Sequence, residues 1–164
     1  MRRPETNHWK YDGSLGSYKT KLGQGRSVET VRKSADETVN NSTTFQNDDA
    51  LLLAVRANTT WVVKLALLVN SSAVADFKVQ ITGPAGSTIE GFFAGLDATG
   101  NSPGSFGASL TLPGAGANEL KPIEFLVIIG STAGDIQVQW AQNTAQVSDT
   151  KVLADSCLVA VQLQ

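Results

Sequence analysis

From Thr60 to Gly86 the chain reads TWVVKLALLVNSSAVADFKVQITGPAG, and its apolar positions recur with period two. Period two is the mark of a strand, because successive side chains point to opposite faces. Trp61, Val63, Leu65, Leu67 and Val69 fall on one face, while Val62, Ala66 and Leu68 make the other face apolar too. A strand apolar on both sides is buried either between two layers or against a neighbour. In the next segment Phe77, Val79 and Ile81 alternate with Asp76, Lys78, Gln80 and Thr82, which predicts a strand with one wet face. The short polar stretch between the two predicts a hairpin turn.

The same pattern runs through the remaining chain. Val28, Val31 and Val39 mark a first short strand region, and the polar run NNSTTFQNDDA predicts a turn into LLLAV at 51–55. ITGPAGST reads as a turn, TIEGFFAGL (88–96) and ASLTL (108–112) as strands, and IEFLVIIG (123–130) as a second strand apolar on both faces. DATGNSPGS and PGAGANELKP predict loops, at 97–105 and 113–122. Ile136, Val138 and Trp140 alternate with polar residues, and in the terminal run Cys157, Val159, Val161 and Leu163 share a face. Roughly eight strands, turns every eight to twelve residues and no amphipathic helix predict an all-β fold, a β-sandwich or jelly-roll-like body.

Composition agrees with that reading: 17% charged residues and 15 glycines in 164 positions suit a turn-rich β protein. The apolar runs fall short of a membrane span, since Lys64 breaks one and Gly130 ends another. The opening MRRPETNHWKYDG has positive charge without an apolar stretch behind it, so neither a secretory nor a twin-arginine signal is predicted. A lone Cys157 makes no internal disulfide and reads as a small buried hydrophobe.

Charge divides the chain. Residues 1–33 hold eight of the 13 Lys and Arg against three acids, a local charge of +5, and residues 34–164 hold five against twelve, −7. Up to Gly25 the N-terminal segment shows no strand or helix period, and four glycines interrupt it. It nevertheless carries Trp9, Tyr11 and Tyr18 among its bases, and aromatics are anchors of interfaces more than ornaments of solvated tails. Residues 1–26 are therefore expected to form an extended basic aromatic arm ordered on a partner, and residues 27–164 a β-sandwich body. The scattered bases, with no nucleic-acid module after them, argue against nucleic acid as that partner.

Chemistry is sparse. His8 is the only histidine and lies in the arm, remote from any nucleophile in the body, so no triad is expected, and one His with one Cys gives no transition-metal spacing. Asn47, Asp48 and Asp49 could line a calcium loop but lack the Asp-x-Asp-x-Asp-Gly frame, and read as a plain polar turn. GQGR (23–26) and GAGA (114–117) lack the lysine and the strand-to-helix setting of a phosphate loop. No enzyme, cofactor or metal is predicted.

Three segments carry a resemblance: KSADETVNNSTTFQNDDALLLAV (33–55), ANTTWVVKLALLVNSSAVADFKVQITGPAG (57–86) and IGSTAGDIQVQWAQNTAQVSDTKVLADSCLVAVQL (129–163). Through K-S-A-D-E, ADFK followed by TGPAG, and W-A-Q-N, the chain resembles a small β-structured domain of tailed-bacteriophage virion structural proteins. The arm and the stretch from Ile89 to Pro122 lie outside it. What the resemblance implies is a capsid decoration protein, or a small tail or head-fibre component, made in the host bacterial cytoplasm and located in the virion. It implies a homo-oligomer, with a trimer the natural expectation. Its partners would be the major capsid protein or other virion subunits, engaged through Arg2, Arg3, Trp9, Lys10, Tyr11, Tyr18 and Arg26. The alternative is a receptor- or glycan-binding module of a tail tip or fibre, using the loops 97–105 and 113–122.

Overall fold

The computed structural model describes residues 27–93, 105–106 and 109–163. Among these residues the secondary structure is entirely strand, in two antiparallel sheets. One sheet contains β1 (Val28–Arg32), β2 (Glu37–Val39), β4 (Thr60–Asn70), β6 (Thr88–Phe93), β7 (Ser105–Phe106), β9 (Asn118–Ile128), β11 (Thr150–Val152) and β12 (Cys157–Gln162). The other contains β3 (Gln46–Val55), β5 (Phe77–Thr82), β8 (Ser109–Leu112) and β10 (Gly134–Gln142).

The connectivity is that of a jelly roll. The first sheet runs β1-β12-β4-β9 and then β6-β7, and the second runs β3-β10-β5-β8. Taking β1, β3, β4, β5, β8, β9, β10 and β12 in chain order as first to eighth gives 1-8-3-6 facing 2-7-4-5, the double Greek key of eight strands. The expected sandwich of roughly eight strands is therefore present, with four short additions. β6 and β7 widen the first sheet beyond β9, while β11 and β2 extend it beside the far end of β4.

This topology corrects the expected hairpin between β4 and β5. β4 pairs with β9 and β12, and β5 with β10 and β8, so residues 71–76 carry the chain from one sheet to the other. Asp76 turns there with φ +52°, and its carboxylate accepts a 3.0 Å hydrogen bond from the Gly114 amide, tying this crossing to the one between β8 and β9. Local polarity announces a turn but does not fix the partner beyond it. Pairing is set by side chains contributed from sequence-distant strands.

Between the sheets sits one core. Leu51, Leu53 and Val55 from β3, the five odd-numbered apolar residues of β4, Phe77, Val79 and Ile81 from β5, and Ile136, Val138 and Trp140 from β10 are all buried. β9 adds Ile123, Phe125 and Val127, and β12 adds Leu158 and Ala160. The rings of Phe77 and Trp140 lie 6.1 Å apart at 34° across two paired strands.

β12 reverses one expectation. Its buried side is Leu158 and Ala160, so Cys157, Val159 and Val161 share the opposite, half-buried face, and Cys157 is no core residue. Both faces of this strand are apolar, and alternation alone cannot say which one turns inward.

Candidate functional site

The outward side of the first sheet is unusually apolar for a surface. Cross-strand register aligns Val28, Val161, Val62 and Leu126 in one row over β1, β12, β4 and β9. Ile128 stands one pair further along, opposite Thr60 and Thr88. The next rows hold Val159, Lys64 and Glu124, then Cys157, Ala66 and Pro122, then Leu68 and Leu120. Leu126 and Ile128 remain 39% and 45% exposed, and Leu120 58%. One ion pair crosses the patch, Lys64 with Glu124 at 3.1 Å, both largely solvated. This is where the doubly apolar readings of 61–69 and 123–129 lead: one side of each strand makes the core and the other a partly exposed apolar surface.

An ionic clasp lies beyond β1. Lys33 is buried, and its Nζ donates to both carboxylate oxygens of Asp48 at 2.9 Å and to Glu37 Oε2 at 2.8 Å. Burial works against the ammonium, but the hydrogen bonds and charges of Glu37 and Asp48 outweigh it and hold Lys33 above its ordinary value. Its backbone is fixed too, the amide donating to Ser156 O at 2.8 Å and the carbonyl accepting from Asp155 at 3.0 Å.

Asp48 has a second duty. Between the pairs Asn47 with Gln139 and Leu52 with Gln137, β3 carries four residues against one on β10, an enlarged bulge. The bulge amides of Ala50 and Leu51 donate to Asp48 Oδ1 at 3.0 and 2.8 Å, and Gln137 Nε2 donates to the Asp48 carbonyl at 2.9 Å. Asn47, Asp48 and Asp49 thus lie within β3 and not in a loop, which corrects the expected polar turn. The Asp48 carboxylate is committed to an ammonium and two amides. No group of three or more metal-binding side chains occurs among the described residues.

The other hallmark residues also serve the frame. In K-S-A-D-E, Asp36 accepts the Ala154 amide at 2.8 Å, and Glu37 Oε1 accepts Gln46 Nε2 at 3.0 Å. In W-A-Q-N, the buried Gln142 side chain accepts amides from Ser42 and Gln146 at 3.3 and 3.0 Å and donates to Ser148 O at 2.7 Å, gathering two loops. In ADFK, Lys78 lies 4.7 Å from the centre of the Phe45 ring. TGPAG turns through Gly86 at φ +81°. Each side chain named here satisfies backbone, charge or ring inside the sandwich.

Arg2, Arg3, Trp9, Lys10, Tyr11, Tyr18 and Arg26 lie outside the described residues, as does residue 97–104 of the first expected loop. The second loop is shorter than expected, 113–117, because β9 begins at Asn118. It contains no aromatic residue. What sequence reasoning passed over is the surface row Val28, Val62, Leu126 and Val161. Its signal was available in the apolar residues on the second face of each strand.

No protein-family model matches the chain, and no curated protein matches it. Among solved structures it is similar to chains of infectious bursal disease virus. One, from the Gx strain, is 12% identical with TM-score 0.30, over 85% of this chain and 41% of that one. A second, from the crystal structure of the VP2 subviral particle, is 10% identical with TM-score 0.30, over 85% and 41%. A third, from the T13 viral particle, is 9% identical with TM-score 0.30, over 84% and 38%. The chain spans about two fifths of the length of these chains. Likeness at this level leaves the functional argument with the chain's own residues.

Proposed function

We propose that the chain is a non-enzymatic structural protein of a bacteriophage virion, a capsid decoration or stabilising subunit. Its residues 1–26 form the arm that docks on the capsid or a neighbouring subunit, and residues 27–164 form the body. The observation that carries this reading is the apolar outer face of β12, β4 and β9, a surface suited to cover by protein and not by water. The resemblance of its scaffold segments to phage virion proteins supports it. So does the use of their hallmark side chains as struts with none assembled for chemistry. Jelly rolls recur in viral capsid and lectin domains, an analogy of fold that assigns no function by itself. The subunit assembles as a homo-oligomer, a trimer where it sits on a three-fold position of a shell.

The charge division gives assembly a direction. An acidic body keeps free subunits apart, and a basic aromatic arm meets an acceptor of opposite charge. The test is incorporation. A chain lacking residues 1–26, shown by circular dichroism to be folded, is supplied to particles that lack this protein. It is expected in the unbound fraction while the full chain sediments with particles, and equal incorporation of the two overturns the reading.

A further inference from the structure

The row Val28, Val161, Val62 and Leu126, with Ile128 beside it, lies at one particular end of the sheet, the end at which the N-terminal segment joins the body. Ser27 is fixed there, its carbonyl accepting the Gln162 amide at 2.9 Å and its hydroxyl donating to Gln162 Oε1 at 3.1 Å. No described strand is stacked on this face. We infer that in the free subunit this outer face is covered by residues 1–26 of the same chain, with Trp9, Tyr11 and Tyr18 as the apolar anchors.

Length permits it with a wide margin. From β1 to β9 is three strand spacings, about 14 Å, whereas 26 extended residues reach about 85 Å. Tethering favours it, because a segment joined to the edge strand of its own acceptor sees that acceptor at an effective concentration in the millimolar range, above that of any second copy in dilute solution. Composition favours it as well: the segment has six bases against two acids, a net +4, beside a body of −6, and Glu90 and Glu124 stand in the rows that the anchors would cross. An uncovered patch would be an aggregation hazard for a subunit awaiting assembly. The same contact is open to exchange once copies are packed side by side, as in a domain swap.

This inference shares with the proposed function the apolar outer face and the premise that the arm is a docking element, but it names a different occupant for the free subunit. It is tested on the isolated full-length chain, so failure to incorporate into particles and failure of this contact are read in separate experiments. The probe is limited trypsin digestion followed by mass spectrometry, because Lys10, Lys19, Lys21 and Arg26 place cleavage sites from the middle of the segment to its end. In the full-length protein these sites should be protected, and equally so at all protein concentrations. The double substitution L126E/I128E, at two exposed side chains, should speed their cleavage about tenfold, since proteolysis tracks the population of the opened state. V147E, on a loop elsewhere and 86% exposed, should leave it unchanged. As a variant that leaves the body intact, W9A/Y11A should reproduce the increase. Cleavage of the full-length protein as fast as of L126E/I128E and W9A/Y11A overturns the inference. Protection that rises with concentration together with a dimeric mass overturns it too, because a second copy is then the occupant.

Discussion

Lys33 and Asp48 meet in the interior at the margin of the jelly roll, the lysine Nζ 2.9 Å from both oxygens of a fully buried carboxylate. Neither residue is replaceable alone, because each would leave the other charge without its partner in a place water does not reach.

Lys33→Met should therefore lower stability by about 3–5 kcal/mol in urea denaturation. Asp48→Ala should cost at least as much, since it also strands the amides of Ala50 and Leu51 in the β3 bulge. The pair K33M/D48L should recover part of the loss, as apolar replacements of buried pairs commonly do. A loss under about 1 kcal/mol for Lys33→Met would place the pair in solvent.

The clasp also sets a pH dependence. Lys33 has a folded-state value above its ordinary 10.5, so it binds its proton more tightly in the native state. Its contribution is full below 10.5 and is lost as pH rises through the folded-state value. The stability gap between the wild-type protein and Lys33→Met should hold constant up to that point and shrink beyond it. Urea titrations of both proteins across the alkaline range check this, and a gap already shrinking near neutrality would contradict it.

Alternating burial along β4 makes a sharper prediction than hydropathy does. Leu67 faces the core and Leu68 the outer surface, where it is half-buried. Leu67→Ala should cost about 2–5 kcal/mol, the usual range for an enclosed leucine. Leu68→Ala in the isolated chain should cost less than half as much. Equal losses would mean that the outer face is as enclosed as the core.

Two glycines of one short loop should respond differently to alanine. A Cβ on Gly114 would come within 2.3 and 2.5 Å of the Ser72 and Ser71 carbonyl oxygens, main-chain atoms that cannot step aside. Gly116 has open space around it, and only its φ of +70° opposes a side chain. Gly114→Ala should cost about 1–3 kcal/mol or more through overpacking. Gly116→Ala should cost about 1 kcal/mol, from the left-handed backbone alone. Thermal melts of both variants give the ranking, and the reverse order would contradict the close approach of the two crossings.

How far the sequence speaks follows from what period two encodes. It identifies which residues share a face, so the core sides of β4, β5 and β10 were legible from Trp61, Phe77 and Trp140 onward. It does not encode partners: β4 and β5 follow one another closely in the chain yet belong to opposite sheets, because β9, β12, β10 and β8 offer the matching edges. Nor does it orient a strand whose two faces are alike, which is why Cys157 turned outward. The Lys33 clasp was invisible for another reason. Its partners stand at +4 and +15, spacings with no meaning until β2 and β3 are folded beside each other. Residues 1–26 stand out in the sequence as a charge division and a set of aromatics, and the second apolar face of β4 was visible as Val62, Ala66 and Leu68, but its continuation into a row with Leu126 needed the sheet register.

The most direct measurement of the virion reading is a density map of the particle that carries this chain, at a resolution that traces residues 1–26. The account predicts a jelly-roll subunit on the shell with those residues running along the capsid or an adjacent subunit. Purified particles without the chain, or a subunit whose first 26 residues touch no other chain, would contradict it.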